Sequence, residues 1–445
     1  MINLNLDLDE EVTIGLDFGT STTKAAIGFG VEESHTERIF VSFSEGANSQ
    51  HRLLEPTVAG FRDGELFFGA LAEAEGLSLH KYIKMCLVCQ DGKRDPRIRT
   101  CPNCLPTRPG HFGLDANTLI SAEDLCALFC AIQIKHIEEV LVHIHPRNDP
   151  KAAQLHVAAP LDQIGYKENS LAERFIRVFE FARRMSSHAK NPWPLSEALE
   201  QLRLAKQDPI QEDGVRTTVL VPETNANIQS YISRRDVEPG HFMSIDVGAG
   251  STDVTLFWLE KRTALRANYF HGKSHHEGMS NLSSLGRTDP QRQVVLERMR
   301  KAAIQNMWEG VIQRELPASD KNAIKNNDFV MLLSGGGSLS PHVYDIFIWE
   351  PLYPPWCTES IEDRGNHQHM LAPDETLVVT KGLDPQILRD HPNYKSLRHI
   401  LNLCYGLASF QFNLAEWDAI DDAPHSESKA NSINLEDLSD ELYSE

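Results

Sequence analysis

One short pattern occurs twice in this chain, each time between two apolar runs. Asp17-Phe18-Gly19-Thr20-Ser21-Thr22 follows Val12-Thr13-Ile14-Gly15-Leu16. Asp246-Val247-Gly248-Ala249-Gly250-Ser251-Thr252-Asp253 follows Phe242-Met243-Ser244-Ile245. Each copy reads as a strand that ends in Asp, turns through glycines and hydroxyls and returns as a strand. Glycine lets backbone approach a ligand closely, and hydroxyl and turn N–H groups are ready donors to phosphate oxygens. An Asp at a strand end can hold hydrated Mg²⁺, which binds through one or two carboxylates plus phosphates. Two such turns facing each other would grip a nucleotide from both sides.

A third element strengthens this reading. Val330-Met331-Leu332-Leu333 runs into Ser334-Gly335-Gly336-Gly337-Ser338, a buried strand feeding a glycine turn where backbone can lie flat against a nucleoside. The 445 residues are enough for two or three domains. A net charge of −20 argues against wholesale binding to nucleic acid or anionic membrane. No apolar run approaches the ~18 residues that span a bilayer. No charged-then-apolar leader is seen, so a cytoplasmic chain with reduced thiols is expected.

Periodicity places the elements between the motifs. Residues 12–70 read as strands and turns, with Asp63-Gly64 as a hairpin signal. Ser121 is a candidate N-cap for a helix through Val142, with Glu123 and Asp124 in its first turn. Gln154–Ala159 reads as a buried strand, Asn169–Met185 as a helix, and 188–215 as loop with a short helix. Helices are expected over Glu223–Ile232, 289–315 and Ser396–Phe410, and a strand over Phe329–Leu333. Cys126 and Cys130 share one helix face and predict core packing.

Taken together, the two turns and the glycine corner resemble the actin, sugar-kinase and 70-kDa heat-shock (DnaK-type) ATPase superfamily. The resemblance runs in order over residues 11–415. It implies an α/β fold of two lobes, each with a ribonuclease-H-like core, and ATP and Mg²⁺ in the cleft between them. Lobe I would take 11–235 and 396–415, and lobe II 240–395. Three segments are most similar to the heat-shock branch, in a truncated and divergent form. His80-Lys81-Tyr82-Ile83-Lys84-Met85-Cys86-Leu87 resembles the segment of the chaperones' catalytic lysine, matching Lys84 first and Lys81 second. Glu223-Thr224-Asn225-Ala226-Asn227-Ile228 resembles their Glu-Pro-Thr-Ala helix without its proline. Tyr405-Gly406-Leu407-Ala408 resembles the helix that closes the nucleotide domain.

The resemblance implies roles for each residue. Gly19, Thr20, Ser21 and Thr22, with Gly248, Gly250 and Ser251, would bind the β- and γ-phosphates. Asp17 and Asp246 would hold Mg²⁺ through water. Asp253 and Glu223 would position the attacking water, and Lys84 would place positive charge on the γ-phosphate. Gly335, Gly336 and Gly337 would approach the nucleoside. Lys24 departs from the chaperones and matches a phosphate-contacting lysine of actin. The implied activity is slow ATP hydrolysis by a chaperone-like switch that acts through a protein partner. Two alternatives stay open: a small-molecule kinase with Asp162 as base, and an actin-like filament or scaffold. The stretch after the closing helix is too short and too acidic for the chaperones' peptide-binding domain.

Two further segments stand outside that pattern. Cys86-x2-Cys89 and Cys101-x2-Cys104 have the spacing of a tetrahedral Zn²⁺ site, so 86–104 reads as a zinc-ribbon-like insertion. Lys93, Arg94, Arg97 and Arg99, with Arg108 just beyond, make this region basic on an acidic chain, an expected docking surface for an acidic protein or, less favoured, nucleic acid. Residues 418–445 are rich in acid and read as a disordered tail.

Overall fold

Strand alternation in the first repeat divides its side chains between a core and a cleft. β1 (Val12–Phe18) pairs antiparallel with β2 (Thr22–Phe29). Val12, Ile14, Leu16 and Phe18 enter the main hydrophobic core. Thr13, Gly15 and Asp17 therefore share the opposite face. The computed structural model describes residues 11–30, 37–44, 52–87, 110–115, 118–147, 149–159, 171–207, 218–232, 239–261, 265–275, 278–283, 285, 290–312, 329–340, 368–369, 376–381, 386–391 and 394–409. The tail at 418–445 and most of the cysteine insertion lie outside these residues, as does Asp162.

β3 (Glu37–Ser42) and β4 (Glu55–Pro56) both pair with β2. β5 (Val58–Arg62), β6 (Glu65–Phe68) and β7 (Leu79–Lys81) begin a small separate sheet. The predicted Asp63-Gly64 hairpin joins β5 to β6, with both residues at positive φ, 52° and 83°. α1 (Gly69–Ala74) and α2 (Ile83–Cys86) flank β7. β8 (His111–Gly113) and β9 (Leu119–Ser121) form a hairpin that leads into α3 (Ala122–Ile144). Ser121 caps that helix as expected, its Oγ accepting from the Asp124 N–H at 3.1 Å.

β10 (Gln154–Ala159) follows, then α4 (Leu171–Met185) and β11 (Trp193–Pro194), which closes the small sheet. α5 (Leu195–Gln207) is longer than the short helix expected in 188–215. Its buried face is Ala198, Leu202 and Ala205, a helical spacing with little apolar bulk, which made the pattern hard to read. β12 (Thr218–Pro222) and α6 (Glu223–Ile232) complete the first half.

The second repeat opens a second sheet. β13 (Gly240–Val247), β14 (Thr252–Lys261) and β15 (Leu265–His275) form an antiparallel meander. α7 (Met279–Ser283) and α8 (Pro290–Ile312) precede β16 (Phe329–Ser334) and β17 (Gln368–His369), which run parallel beside β13. The first sheet has the same plan: β3-β2-β1 as the meander, then β10 and β12 parallel beside β1. The fold is mixed α/β, and its two main sheets repeat one topology. Among the described residues no helix is long and apolar enough to cross a membrane.

One boundary differs from the sequence reading. The resemblance places 240–395 together in lobe II, yet β18 (Leu377–Thr380) runs parallel to β3 and carries β19 (Gln386–Ile387) with it. β3 had an open edge, and β18 is buried along its whole length, so pairing there satisfies both. This stretch belongs to the first sheet.

α9 (Tyr394–Leu407) lies on the first sheet's cleft-side face, opposite α3 and α4. Gly15 makes that approach feasible, because a Cβ there would sit 2.5 Å from the Ala408 nitrogen. Gly406 does the same for α6, where a Cβ would fall 1.7 Å from the Ala226 carbonyl oxygen. α6 and α9 thus cross backbone to backbone.

His156 of β10 ties the sheet to α9. One ring nitrogen lies 2.9 Å from the Leu407 carbonyl and the other 3.2 Å from Gln154 Oε1. Burial lowers its pKa from 6.5 to about 4, against the opposing pull of the Leu407 carbonyl. The folded state therefore binds fewer protons here than the unfolded chain between those two values. The contribution of this neutral histidine is fully present above pH 6.5 and is lost as pH falls toward 4, about 3 kcal/mol in all. Urea unfolding from pH 7.5 to 4.5 should show a shallower loss of stability in His156→Gln than in the wild type. Equal slopes would remove this role for His156.

Candidate functional site

Both repeated turns open onto one cleft of about 380 Å³. The two hairpins share a register. Asp17 lies directly across from Lys24, and Asp246 directly across from Asp253. The geometry is the same but the charge is not. In the first hairpin Lys24 Nζ is 2.5 Å from Asp17 Oδ2, so the carboxylate is neutralised. Burial pulls the Lys24 ammonium down, but the Asp17 charge and hydrogen bond outweigh it and hold the pKa above its usual value. In the second hairpin two carboxylates oppose each other across the strands. Burial raises Asp246 from 3.8 to about 6, and the Glu223 carboxylate adds to this, while the Asn227 amide pulls the other way.

The turns are braced from within and from neighbouring segments. The Thr57 N–H donates to the Ser21 carbonyl at 2.9 Å, and Thr23 and Thr57 hydroxyls lie 3.0 Å apart. The Gly248 N–H donates to the Ser251 carbonyl at 2.8 Å, and Ser280 donates from its hydroxyl to the Ala249 carbonyl at 2.6 Å. Bracing of this kind holds turn backbone in place without a ligand.

Lys84 reaches the cleft through an unusual corner. Tyr82, at φ 57°, turns β7 into α2 in the left-handed region that side chains seldom occupy. Lys84 Nζ then donates to Glu223 Oε1 at 2.7 Å and lies 5.7 Å from the centroid of the Phe175 ring. Glu223 is the first residue of α6, where the helix dipole favours a carboxylate. Lys81 stays exposed on β7 and does not line the cleft.

The glycine corner after β16 forms another wall. Gly335 has φ 82°, and a Cβ on it would lie 2.3 Å from Asp246 Oδ1. Any side chain there would displace that carboxylate. Gly336 and Gly337 line the cleft with it, next to apolar Met279, Ile400 and Leu403.

Every turn residue, acid and glycine singled out from the sequence for the nucleotide site therefore lines this one cleft, as do Lys24 and Lys84. Asn227 and Phe175 line it too and were not foreseen. Asn227 had a signal, since it lies one helical turn from Glu223 and so on the same face. Phe175 had none, because its approach depends on how α4 packs. The cysteine set is only partly visible. Cys86 ends α2 and is buried in the main core, whereas Cys89, Cys101 and Cys104 lie outside the described residues. Cys126 and Cys130 are buried in the core as expected, and burial pushes both thiols up.

Four carboxylates and two ammonium groups line the cleft, leaving a negative excess beside two hydroxyl-rich turns. Such a site can hold an anionic chain of phosphates together with a hydrated divalent cation. The chain matches no protein-family model and no curated protein sequence.

Proposed function

We propose that the chain binds ATP with Mg²⁺ in this cleft and hydrolyses it slowly. It would act as a heat-shock-70-like switch of the actin-like ATPase superfamily, working through a protein partner. The observation that carries this reading is the meeting in one cleft of both repeated turns, the Lys84–Glu223 pair and the Gly335 corner. The repeated sheet plan supports two ribonuclease-H-like lobes, with α6 and α9 crossing between them.

The residues present fit magnesium. The carboxylates are oxygen donors in excess over the lysines, and Asp246 is held above its usual pKa by burial and by Glu223. A cation next to it would relieve both effects. Because Lys24 already neutralises Asp17, Asp246 is the stronger of the two candidates. The metal when bound would offset charge on the β- and γ-phosphates.

The chain's own groups supply the rest. Thr20, Ser21 and Thr22 on one side and Gly248, Gly250 and Ser251 on the other hold the phosphates in line. Glu223 and Asp253 accept hydrogen bonds from the attacking water and orient it. Lys84 stabilises charge on the γ-phosphate, and Lys24 supplies a second ammonium near the first turn. Catalysis of this kind is positioning and electrostatics, so turnover stays slow until a partner completes the site.

Purified protein with Mg·ATP should release phosphate with no phosphorylated acceptor. Turnover that requires an acceptor hydroxyl would replace this reading with that of a small-molecule kinase, and failure to bind ATP would overturn it outright.

The basic cysteine insertion, which begins at Cys86 at the end of α2, is proposed as a zinc module. Metal analysis should find about one Zn²⁺ per chain, lost in a Cys101→Ser/Cys104→Ser variant. A metal-free wild type ends the proposal.

A further inference from the structure

Beneath the cleft runs a short file of buried amides that phosphate chemistry does not require. Ser230 Oγ donates to Asn402 Oδ1. Asn402 Nδ2 donates to Asn227 Oδ1 at 3.0 Å, and Asn227 Nδ2 donates to Asp246 Oδ2 at 2.5 Å. Asn227, Ser230 and Asn402 are at most 3 % exposed. Each amide accepts from behind through its oxygen and donates ahead through its nitrogen. Every hydrogen bond in the file therefore points at the Asp246 carboxylate.

We infer that Asn227 is a positioning residue for Asp246, and that Asn402 sets which way the Asn227 amide faces. The inference rests on reading Asp246 as the carboxylate that holds hydrated magnesium.

The physical case turns on the near symmetry of an amide. Asn227 can present either NH₂ or oxygen to Asp246 with almost the same shape. Only the NH₂ is attractive to a carboxylate. Asn402 removes the ambiguity, because its own NH₂ occupies Asn227 Oδ1, while the single Ser230 hydroxyl proton is shared between Asn402 Oδ1 and the Asn227 carbonyl. Charge-assisted bonds at the end of a buried file are strong, and each bond polarises the next. With one Asp246 oxygen so engaged, the carboxylate is held in one orientation toward the cleft. Burying two asparagines in a helix crossing otherwise packed through Gly406 and Ala226 is costly unless each donor and acceptor is used.

The three elements come from different parts of the fold. Asp246 ends β13 of the second sheet, Asn227 lies on α6 and Asn402 on α9. Orientation of the magnesium carboxylate is thereby tied to the α6–α9 crossing. A displacement of α9 along α6 breaks the Asn402–Asn227 bond and frees the amide to turn.

The test is calorimetric binding of ATP to the full chain, once with Mg²⁺ and once with EDTA. Asn227→Ala should weaken the magnesium-dependent part of the affinity about 10–100-fold, the usual effect of losing a group that orients a metal ligand. Binding in EDTA should fall much less than binding with Mg²⁺, since that part does not pass through the metal. Asn402→Asp should give a similar loss, because a carboxylate cannot donate to Asn227 Oδ1 and turns that amide around. In an Asn227→Ala background, Asn402→Asp should add nothing. If Asn402→Asp melts at ambient temperature, Asn402→Ala replaces it, with a smaller loss expected and the same absence of effect in the Asn227→Ala background. A structural role alone predicts the opposite: equal weakening with and without Mg²⁺, or an Asn402 effect that persists without Asn227. Either result overturns the inference while leaving ATP binding in the cleft intact. Wild-type protein that binds ATP with no help from Mg²⁺ also overturns it. Wild-type protein that binds no ATP at all overturns the function proposed above and this inference with it.

Discussion

Asp246→Ala is expected to abolish magnesium-dependent ATP hydrolysis while the protein stays folded. The expectation follows from the asymmetry of the two hairpins. Asp17 already has Lys24 at 2.5 Å, so its charge is spent within the protein. Asp246 faces Asp253 across the strands and also feels Glu223, and its pKa stands at about 6 because burial and that repulsion both oppose ionisation. At neutral pH this charge is unfavourable, and the cation is what would balance it. Removing the carboxylate takes away the main anchor for the metal but also a source of repulsion. Melting temperature should therefore hold or rise slightly, with some loss from the Asn227 NH₂ that no longer has its acceptor. Phosphate release and thermal melting of the purified variant check both parts. Wild-type turnover in Asp246→Ala would refute the site.

Lys84→Met should lower the turnover number about 10²–10³-fold, equivalent to ~2.7–4 kcal/mol of barrier, by analogy with the loss of one preorganised charge donor at a transition state. ATP affinity should change much less, because the charge matters most as the γ-phosphate is transferred. The substitution has a side effect. Lys84 is the buried partner of Glu223 at 2.7 Å, and stripping it leaves a carboxylate unpaired, at a cost of about 3–5 kcal/mol. Lys84→Met/Glu223→Gln separates the two consequences: stability should return and turnover should not. Lys81→Met serves as the control, since Lys81 is exposed on β7 and lies outside the cleft lining. A full loss in Lys81→Met with normal turnover in Lys84→Met would exchange their roles.

Much of the site was legible before any coordinates because its signals are local. A strand, an Asp and a Gly/Thr turn lie within a dozen residues, and strand periodicity alone puts Asp17 on the face opposite Leu16 and Phe18. The Ser121 cap, the Asp63-Gly64 hairpin and Glu223 at the start of α6 are local in the same sense. The helix over Leu195–Gln207 was underread because two of its three buried residues are alanines. The assignment of 377–387 followed chain order, whereas strand pairing follows open edges, and the open edge was β3 in the first sheet.

What the amino-acid sequence determined by itself is the pair of Asp-ended hairpins and the chemical difference between them, Lys24 in one and Asp253 in the other. Turn residues and alternation are properties of neighbouring positions, so they can be read without a fold. Tertiary structure alone decided that both hairpins share a cleft, that Lys84 rather than Lys81 enters it, and that Asn402 stands behind Asn227 and Asp246. The Lys84–Glu223 and Asn402–Asn227 contacts join residues 139 and 175 positions apart. The second exists because Gly406 lets α9 and α6 approach backbone to backbone, and only the packed protein shows which distant side chains that approach brings into contact.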